Sequence, residues 1–249
     1  MKKIAILLLS IVAMSYGVSA QQENIKRVEI KHKGVNEIQS SLPVLLRFVD
    51  GQDGDIEIKY PASVEEFITV GFDENSDILI IKANGKDLPR KFEDAVNEKQ
   101  PILVNICASS IKSILNTSDM SIHFDRLKQT EALDIINTLT LSISGKELEA
   151  TDKFQIYNTG TMTCRIKKMS SECIFATNNM GYLHIEGVAE AKHIEYNSVG
   201  IDSLDLDVTC TKLQIATTGS GLIKCSGVAD DVDVVSMGKT TIRLNELNK

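Results

Sequence analysis

From about Leu133 to Leu244 the chain repeats one short arrangement: an apolar–polar–apolar run, a small polar residue, a glycine, and another apolar–polar–apolar run. The glycines at 160, 181, 200, 219 and 238 serve as anchors, separated by 21, 19, 19 and 19 residues. Six positions before each stands an apolar residue: Phe154, Phe175, Ile194, Leu213 and Val232. Four positions after come Cys164, Ile185, Leu204, Ile223 and Ile242, and six after come Ile166, Gly187, Leu206, Cys225 and Leu244. The frame extends back to Leu139 and Ser118, with Ile143 and Ile122 in the apolar slot, which makes seven units. Alternation with a period of two, as in Leu204-Asp205-Leu206, marks strands with one face inward. No unit carries the i, i+3, i+4, i+7 stripe of a helix. A unit of about twenty residues cannot bury its apolar face alone and must stack on its neighbours. The pattern therefore predicts an all-β chain: a right-handed parallel β-helix of about seven regular coils, roughly 34 Å long at about 4.8 Å per coil.

The region before the coils reads differently. Met1 to Ala20 has the build of a secretory signal peptide, with Lys2 and Lys3, the apolar segment Ile4 to Met14, and the cleavage site Val18-Ser19-Ala20. Its apolar run is too short for a permanent membrane helix, so no transmembrane segment is expected in the mature chain. Residues 21–100 are expected to form a hairpin-rich β cap with the first irregular coils, and residues 101–249 the regular coils. Strands are predicted at Val28 to His32, Val44 to Val49, Asp55 to Tyr60, Glu66 to Gly71, Ile78 to Ala83 and Ile102 to Ile106. Asp50-Gly51, Asp53-Gly54 and Asn84-Gly85 are hairpin-type dipeptides. The charged stretch Lys86 to Gln100 breaks the pattern, and Lys91 to Glu98 is predicted as a short helix with Phe92 and Val96 on one face. A cap is needed because an uncovered solenoid end is a sticky strand edge. At the other end no long cap and no sorting domain are expected.

The most regular polar feature lies two residues before each anchor: Asn116, Asn137, Asn158, Asn179, Ser198, Thr217 and Ser236. Stacked amides and hydroxyls can bond along the column and satisfy turn backbone groups, so the stack is read as structural. The alternative is a polar groove that reads sugar hydroxyls. Beside the inward slot runs a charged row, Arg165, Glu186, Asp205, Lys224 and Arg243, which predicts opposite-sign pairs between coils on a solvated wall.

Candidate chemistry is sparse. The five cysteines, Cys107, Cys164, Cys173, Cys210 and Cys225, are an odd count, which excludes a fully paired framework. Cys164 and Cys225 occupy inward slots three coils apart, too far for a disulfide. His32, His123, His184 and His193 show no metal-ligand spacing, so no metal, no cofactor and no catalytic residues are predicted. Two acidic groups, Asp50/Asp53/Asp55 and Asp202/Asp205/Asp207, could be asked to hold calcium. The first is more simply a hairpin turn. In the second, Asp205 and Asp207 share a strand face without Asp202. The formal charge of −7 becomes −9 once Lys2 and Lys3 are removed, and nothing basic or rich in aromatics argues for nucleic acid.

The segments LPVLLRFVDGQDGDIEIKY and DILIIKAN, with the units FQIYNTGTMTCRI, LQIATTGSGLIKC and VDVVSMGKTTIRL, resemble the putative auto-transporter adhesin head GIN domain family of Bacteroidetes-type bacteria. The resemblance covers roughly Glu29 to Leu244. Of that family's glycine-rich turns only Gly219-Ser220-Gly221 keeps the form. The resemblance implies a β-helical envelope or surface protein without known enzymatic activity. The expectation is thus a non-enzymatic exported protein of the periplasm, cell surface or medium, with an unidentified glycan or protein ligand and a homo-oligomer as one assembly. The alternatives are a polysaccharide-active β-helix enzyme, which needs clustered carboxylates and sugar-stacking aromatics, and a purely structural envelope scaffold.

Overall fold

The computed structural model describes residues 24–72, 76–85, 88–97 and 100–248, so the signal-peptide reading of residues 1–20 lies outside the described residues. The molecule is a parallel β-helix of about seven turns. Regular winding in chain order begins at β8 (Ser113–Asn116) and β9 (Asp119–Gln129) and continues through β10 (Leu133–Asn137) and β11 (Thr140–Asn158). It then passes through β12 (Thr161–Asn178), β13 (Tyr182–Ser198), β14 (Ile201–Thr217), β15 (Ser220–Ser236) and β16 (Lys239–Asn248). Each strand from β11 to β15 bends through two walls and pairs in parallel with its neighbours. Inward positions alternate along each wall, so Phe154, Ile156, Met162 and Cys164 are buried and the polar residues between them face out.

The expected apolar column is corrected at one place. Phe154 pairs with Ile174, which pairs with Ile194, Leu213 and Val232 in turn; Phe175 sits one step off, on the outer face. Two one-residue irregularities cause the slip. The turn between Asn178 and Gly181 holds two residues where the other turns hold one. A bulge between Ala150 and Lys153 compensates, so the glycine spacing alone conceals the change.

The glycine column itself is a packing requirement. A Cβ on Gly181 would lie 1.7 Å from the Gly160 carbonyl oxygen, and one on Gly219 would lie 1.8 Å from that of Gly200. Successive coils approach too closely there for any side chain. The following amides donate across the same step, from Tyr182 to Gly160 at 3.0 Å and from Ser220 to Gly200 at 3.1 Å.

The N-terminal end departs from simple winding. The strands β1 (Ile25–Lys31), β3 (Val44–Phe48), β4 (Asp55–Pro61), β5 (Ile68–Phe72), β6 (Ile78–Ala83) and β7 (Ile102–Ile106) lie close to their predicted positions, and β2 (Glu37–Ser40) is added. The coil made by β2 and β3 is inserted between later segments: β3 lies parallel between β7 and β9, and β2 parallel between β6 and β8. Antiparallel strands then cover this end, β4 on β7 with β1 outside it, and β5 on β6. A 3-10 turn, Ala62–Phe67, and a short helix α1, Arg90–Ala95, close over it with Val64, Phe92 and Val96 buried. The helix stops at Ala95, short of the predicted Glu98, and Asn97 already pairs with Gln100 in an isolated bridge.

Candidate functional site

The polar column holds Ser40, Asn116, Asn137, Asn158, Asn178, Ser198, Thr217 and Ser236, each in register with the next. Asn178 takes the place expected for Asn179, which is exposed in the longer turn, and Ser236 is exposed on the last coil. The amides form a ladder of one direction. The Nδ2 of Asn116 donates to Oδ1 of Asn137 at 2.8 Å, Asn137 to Asn158 at 2.8 Å, and Asn158 to Asn178 at 2.9 Å. Each Nδ2 also reaches turn carbonyls, as Asn158 does to Gly160 at 2.9 Å and Tyr182 at 3.0 Å.

The ladder ends on Asp202. Its Oδ1 accepts from Asn178 Nδ2 at 2.9 Å, Tyr196 Oη at 2.7 Å and Ser198 Oγ at 2.6 Å. Asp202 is buried and follows Leu141, Met162 and Leu183 in one column, which continues with Gly221 and Thr240. Three donors converge on this one oxygen, at the positive end of aligned amide dipoles, while Oδ2 is buried without a hydrogen-bond partner among the described residues. Burial, followed by the neighbouring Asp202 charge, pushes the Tyr196 phenol well above its usual range, so it stays a donor. Sequence reasoning left Asp202 in an acidic trio. The available signal was a charged residue in the slot directly after Leu141, Met162 and Leu183.

A second feature is the turn ridge. Residues 138–140, 159–161, 179–182, 199–201 and 218–220 contain no charged side chain. Met180 is 81% exposed, Val199 62%, Ile201 55% and Tyr182 38%, and Tyr182 is in register with Ile201. Threonines flank them on the neighbouring coils at about 4.8 Å intervals. This is a continuous uncharged strip, apolar in the middle, on a protein whose other walls are charged.

Those walls are laced between coils. In the expected row Arg165 meets Glu186 at 3.2 Å and Lys224 meets Asp205 at 3.2 Å. Arg126–Glu147 and Lys128–Glu149, each at 2.8 Å, repeat the device elsewhere. The histidines also find partners across coils. His123 Nδ1 lies 2.6 Å from Ser144 Oγ, and His184 Nδ1 lies 2.9 Å from Ser203 Oγ. Glu186 Oε2 is 3.4 Å from His184 Nε2, so Ser203, His184 and Glu186 are linked in the order of a hydrolytic triad. Nothing in the sequence marks this group, because Ser203 comes from the coil next to the one that holds His184 and Glu186. The group stands on a paired sheet face, where Ser203 lies inside the β13–β14–β15 ladder, and Glu186 is shared with Arg165. Backbone N–H groups engaged in ladders are not free to form an oxyanion hole.

All five cysteines are free thiols, with Cys164, Cys210 and Cys225 buried. Burial pushes Cys164 and Cys225 up to about 12 and Cys210 up to about 11, far from a nucleophilic thiolate. Asp53 accepts from Ser109 N at 3.0 Å and Ser109 Oγ at 3.2 Å, a contact to a segment distant in the chain, while Asp205 and Asp207 point outward and Asp202 inward. Among the described residues no group of three His, Cys, Asp or Glu could hold a metal. Three open hollows of about 380, 410 and 300 Å³ meet at Val49 on the cap side. Among the described residues an interior hollow lined by Phe154, Met169, Ile194 and Leu213 has about 20 Å³, room for about one water. No described helix is long and apolar enough to cross a membrane.

Comparison with known proteins gives the same architecture. No curated protein matches the chain. A crystal structure titled a putative adhesin from Bacteroides fragilis is 20% identical, with a TM-score of 0.69, and the match covers 89% of this chain and 97% of that one. Another putative adhesin, from Parabacteroides distasonis, is 14% identical with a TM-score of 0.63 over 89% of this chain and 97% of its own. A third, also from Parabacteroides distasonis and titled a putative lipid binding protein, is 13% identical with a TM-score of 0.56 over 92% and 98%. At these identities the likeness speaks for the fold. The family model described as "Putative auto-transporter adhesin, head GIN domain" matches residues 34–249, and the chain belongs to that family.

Proposed function

We infer that the protein is a non-enzymatic, exported binding module of the adhesin kind, and that its uncharged turn ridge is the contact surface. The signal-peptide pattern at residues 1–20 and the family's description support export to the envelope or the cell surface. The single observation that carries the binding reading is the exposure of Met180, Val199 and Ile201 side by side on a ridge without charge. Contiguous apolar surface of this kind, rimmed by polar groups, marks interaction sites on soluble proteins. A ridge of threonine hydroxyls and apolar side chains suits an uncharged partner, such as a neutral glycan or a peptide face. The test is retention of the chain on arrays of envelope and host glycans and proteins, with Val199→Asp/Ile201→Asp as the control. A retained ligand lost by at least tenfold in that variant supports the reading; ligands held equally by both chains remove the ridge from it.

The relative titled as lipid binding raises a second reading. The interior hollow argues against an enclosed acyl chain, since about 20 Å³ is far below a lipid's volume. A lipid would have to lie on the ridge, and vesicles in place of the glycan array test it with the same variant. Protease shaving of intact cells distinguishes a surface location from a periplasmic one.

A further inference from the structure

The three hollows that meet at Val49 differ in charge. One is lined by Arg27 and Lys31 against Glu29, Asp55 and Glu57. A second has Arg126 and Lys128 against Asp50 and Asp53. The third, of about 380 Å³, has Arg47 and Lys146 against Asp125 alone. It carries a positive excess on a chain whose formal charge is −7.

This third hollow is built on three successive strands. Arg47 of β3, His123 of β9 and Ser144 of β11 stand in one register row, and Phe48, Phe124 and Gly145 in the next. Along these rows each of the three strands is paired on both sides, so no free edge is involved. A Cβ on Gly145 would lie 2.0 Å from the Phe124 ring, so the ring reaches over the next coil and needs a glycine there. Phe48, Val49 and Phe124 give the lining an apolar side.

Arg47 is exposed and makes no ion pair among the described residues. Its register neighbours are His123 and Asn105, and the Asn105 amide is taken by Glu57 at 2.6 Å. The acids nearby are held by other cations: Asp125 by Lys146 at 2.9 Å, Glu57 by Arg27 at 2.6 Å and Lys59 at 3.0 Å, and Glu147 by Arg126 at 2.8 Å. Partial desolvation, then the Arg47 charge, lower the His123 pKa, so the ring is neutral at pH 7 and offers a hydrogen bond rather than a charge. Its Nδ1 faces Ser144 Oγ at 2.6 Å, which leaves Nε2 for a ligand.

We propose that this hollow binds one acidic sugar residue, with its carboxylate or sulfate on Arg47 and Lys146 and its hydroxyls on His123, Ser144 and Asp125. A guanidinium fork takes two oxygens of an anionic group at once. The single net positive charge of the lining matches a singly charged group, whereas a phosphate monoester would bring nearly two charges beside Asp125. A volume of about 380 Å³ is near the lower end of ligand pockets, room for one ring rather than a chain. Asp125 repels a second carboxylate but accepts from hydroxyls, which favours a sugar over an acidic peptide. The site shares no residue with the turn ridge and does not depend on it.

The experiment is an amide chemical-shift titration of the isotope-labelled mature chain with glucuronate, glucose 6-sulfate, glucose and N-acetylaspartate amide. At least one of the two sugar acids should move the amides of residues 47–49, 123–125 and 144–146 with a Kd of about 1–10 mM, and which one does so separates carboxylate from sulfate. Glucose should bind at least tenfold more weakly. Arg47→Gln, a change on an exposed side chain, should weaken the sugar acid at least tenfold, and Lys146→Gln severalfold. Silence at these amides up to about 50 mM of both sugar acids overturns the proposal and needs no variant to fold. Equal binding of glucose overturns it, as does an affinity unchanged in Arg47→Gln. Tighter binding of N-acetylaspartate amide than of either sugar acid overturns the sugar and gives the hollow to an acidic peptide.

Discussion

The two halves of the polar column solve one problem with different groups. From Asn116 to Asn178 the column is a chain of amides, each both donor and acceptor, so every coil is tied to the next by a side-chain bond. From Ser198 to Ser236 it is hydroxyls, whose partners lie outside the column. Ser198 turns to Asp202, and Thr217 Oγ1 reaches Thr240 Oγ1 at 3.1 Å. Between the halves stands the buried carboxylate that ends the ladder. Same-sized slots are thus not equivalent. The amide half is cross-linked at every step along the axis, and the hydroxyl half, apart from the Thr217–Thr240 contact, relies on backbone ladders and apolar burial.

Three measurements would break or sharpen that contrast. The largest effect is expected at the junction. Asp202→Ala strands the donors of Asn178, Tyr196 and Ser198 in a dry interior and should cost about 3–5 kcal/mol in urea unfolding. Asp202→Asn, which keeps one acceptor, should cost less than half of that. Equal losses in the two variants would mean that the charge, not the acceptor, is what the site needs.

Next is the response to alkali. Cys164 lies in the amide half and Cys225 in the hydroxyl half, and both are raised from 9.0 to about 12 by burial. A raised folded value means that the unfolded chain loses its proton first. The stabilisation is complete below pH 9 and is lost as pH climbs from there toward 12, at about 1.4 kcal/mol per thiol and pH unit. Cys210, raised to about 11, is a third such thiol, so replacing Cys164 or Cys225 by alanine should remove about a third of the thiol slope between pH 9 and 11. If Cys225→Ala alone abolishes it, the two halves unfold separately.

The smallest pair compares the slots directly. Asn158→Ala removes links to both neighbouring amides and should cost about 2–3 kcal/mol, whereas Thr217→Val should cost under about 1 kcal/mol. Similar costs in thermal unfolding would show that the amide links add nothing beyond local turn capping.

The solenoid was legible because burial imposes period two on every strand and stacking imposes a repeat on every coil. Gly160, Gly181, Gly200, Gly219 and Gly238 could be read as one column since each is forced by the same close approach of backbones. Asn178 and Ile174 were not legible from those anchors. An added turn residue and a compensating bulge cancel in the spacing, and only the burial of each side chain reveals them. The placement of β3 between β7 and β9 was hidden for another reason. Its alternation is that of any inward strand, and nothing local states which neighbour it will meet. Asp202 and the Ser203–His184–Glu186 group are products of register, visible only after the coils are laid over one another.

Because a coil touches only the one above and the one below, a turn between Asn116 and Asn178 could be duplicated or excised with its asparagine, and the seams would still match. Each such event would change the reach of the rod by about 4.8 Å while leaving both tips as they are. The coil bearing Asp202 is not interchangeable in this way, since a second copy of it would bury a second carboxylate with no amide string to receive. Length in proteins built on this plan is therefore free to drift on one side of that residue and constrained at it.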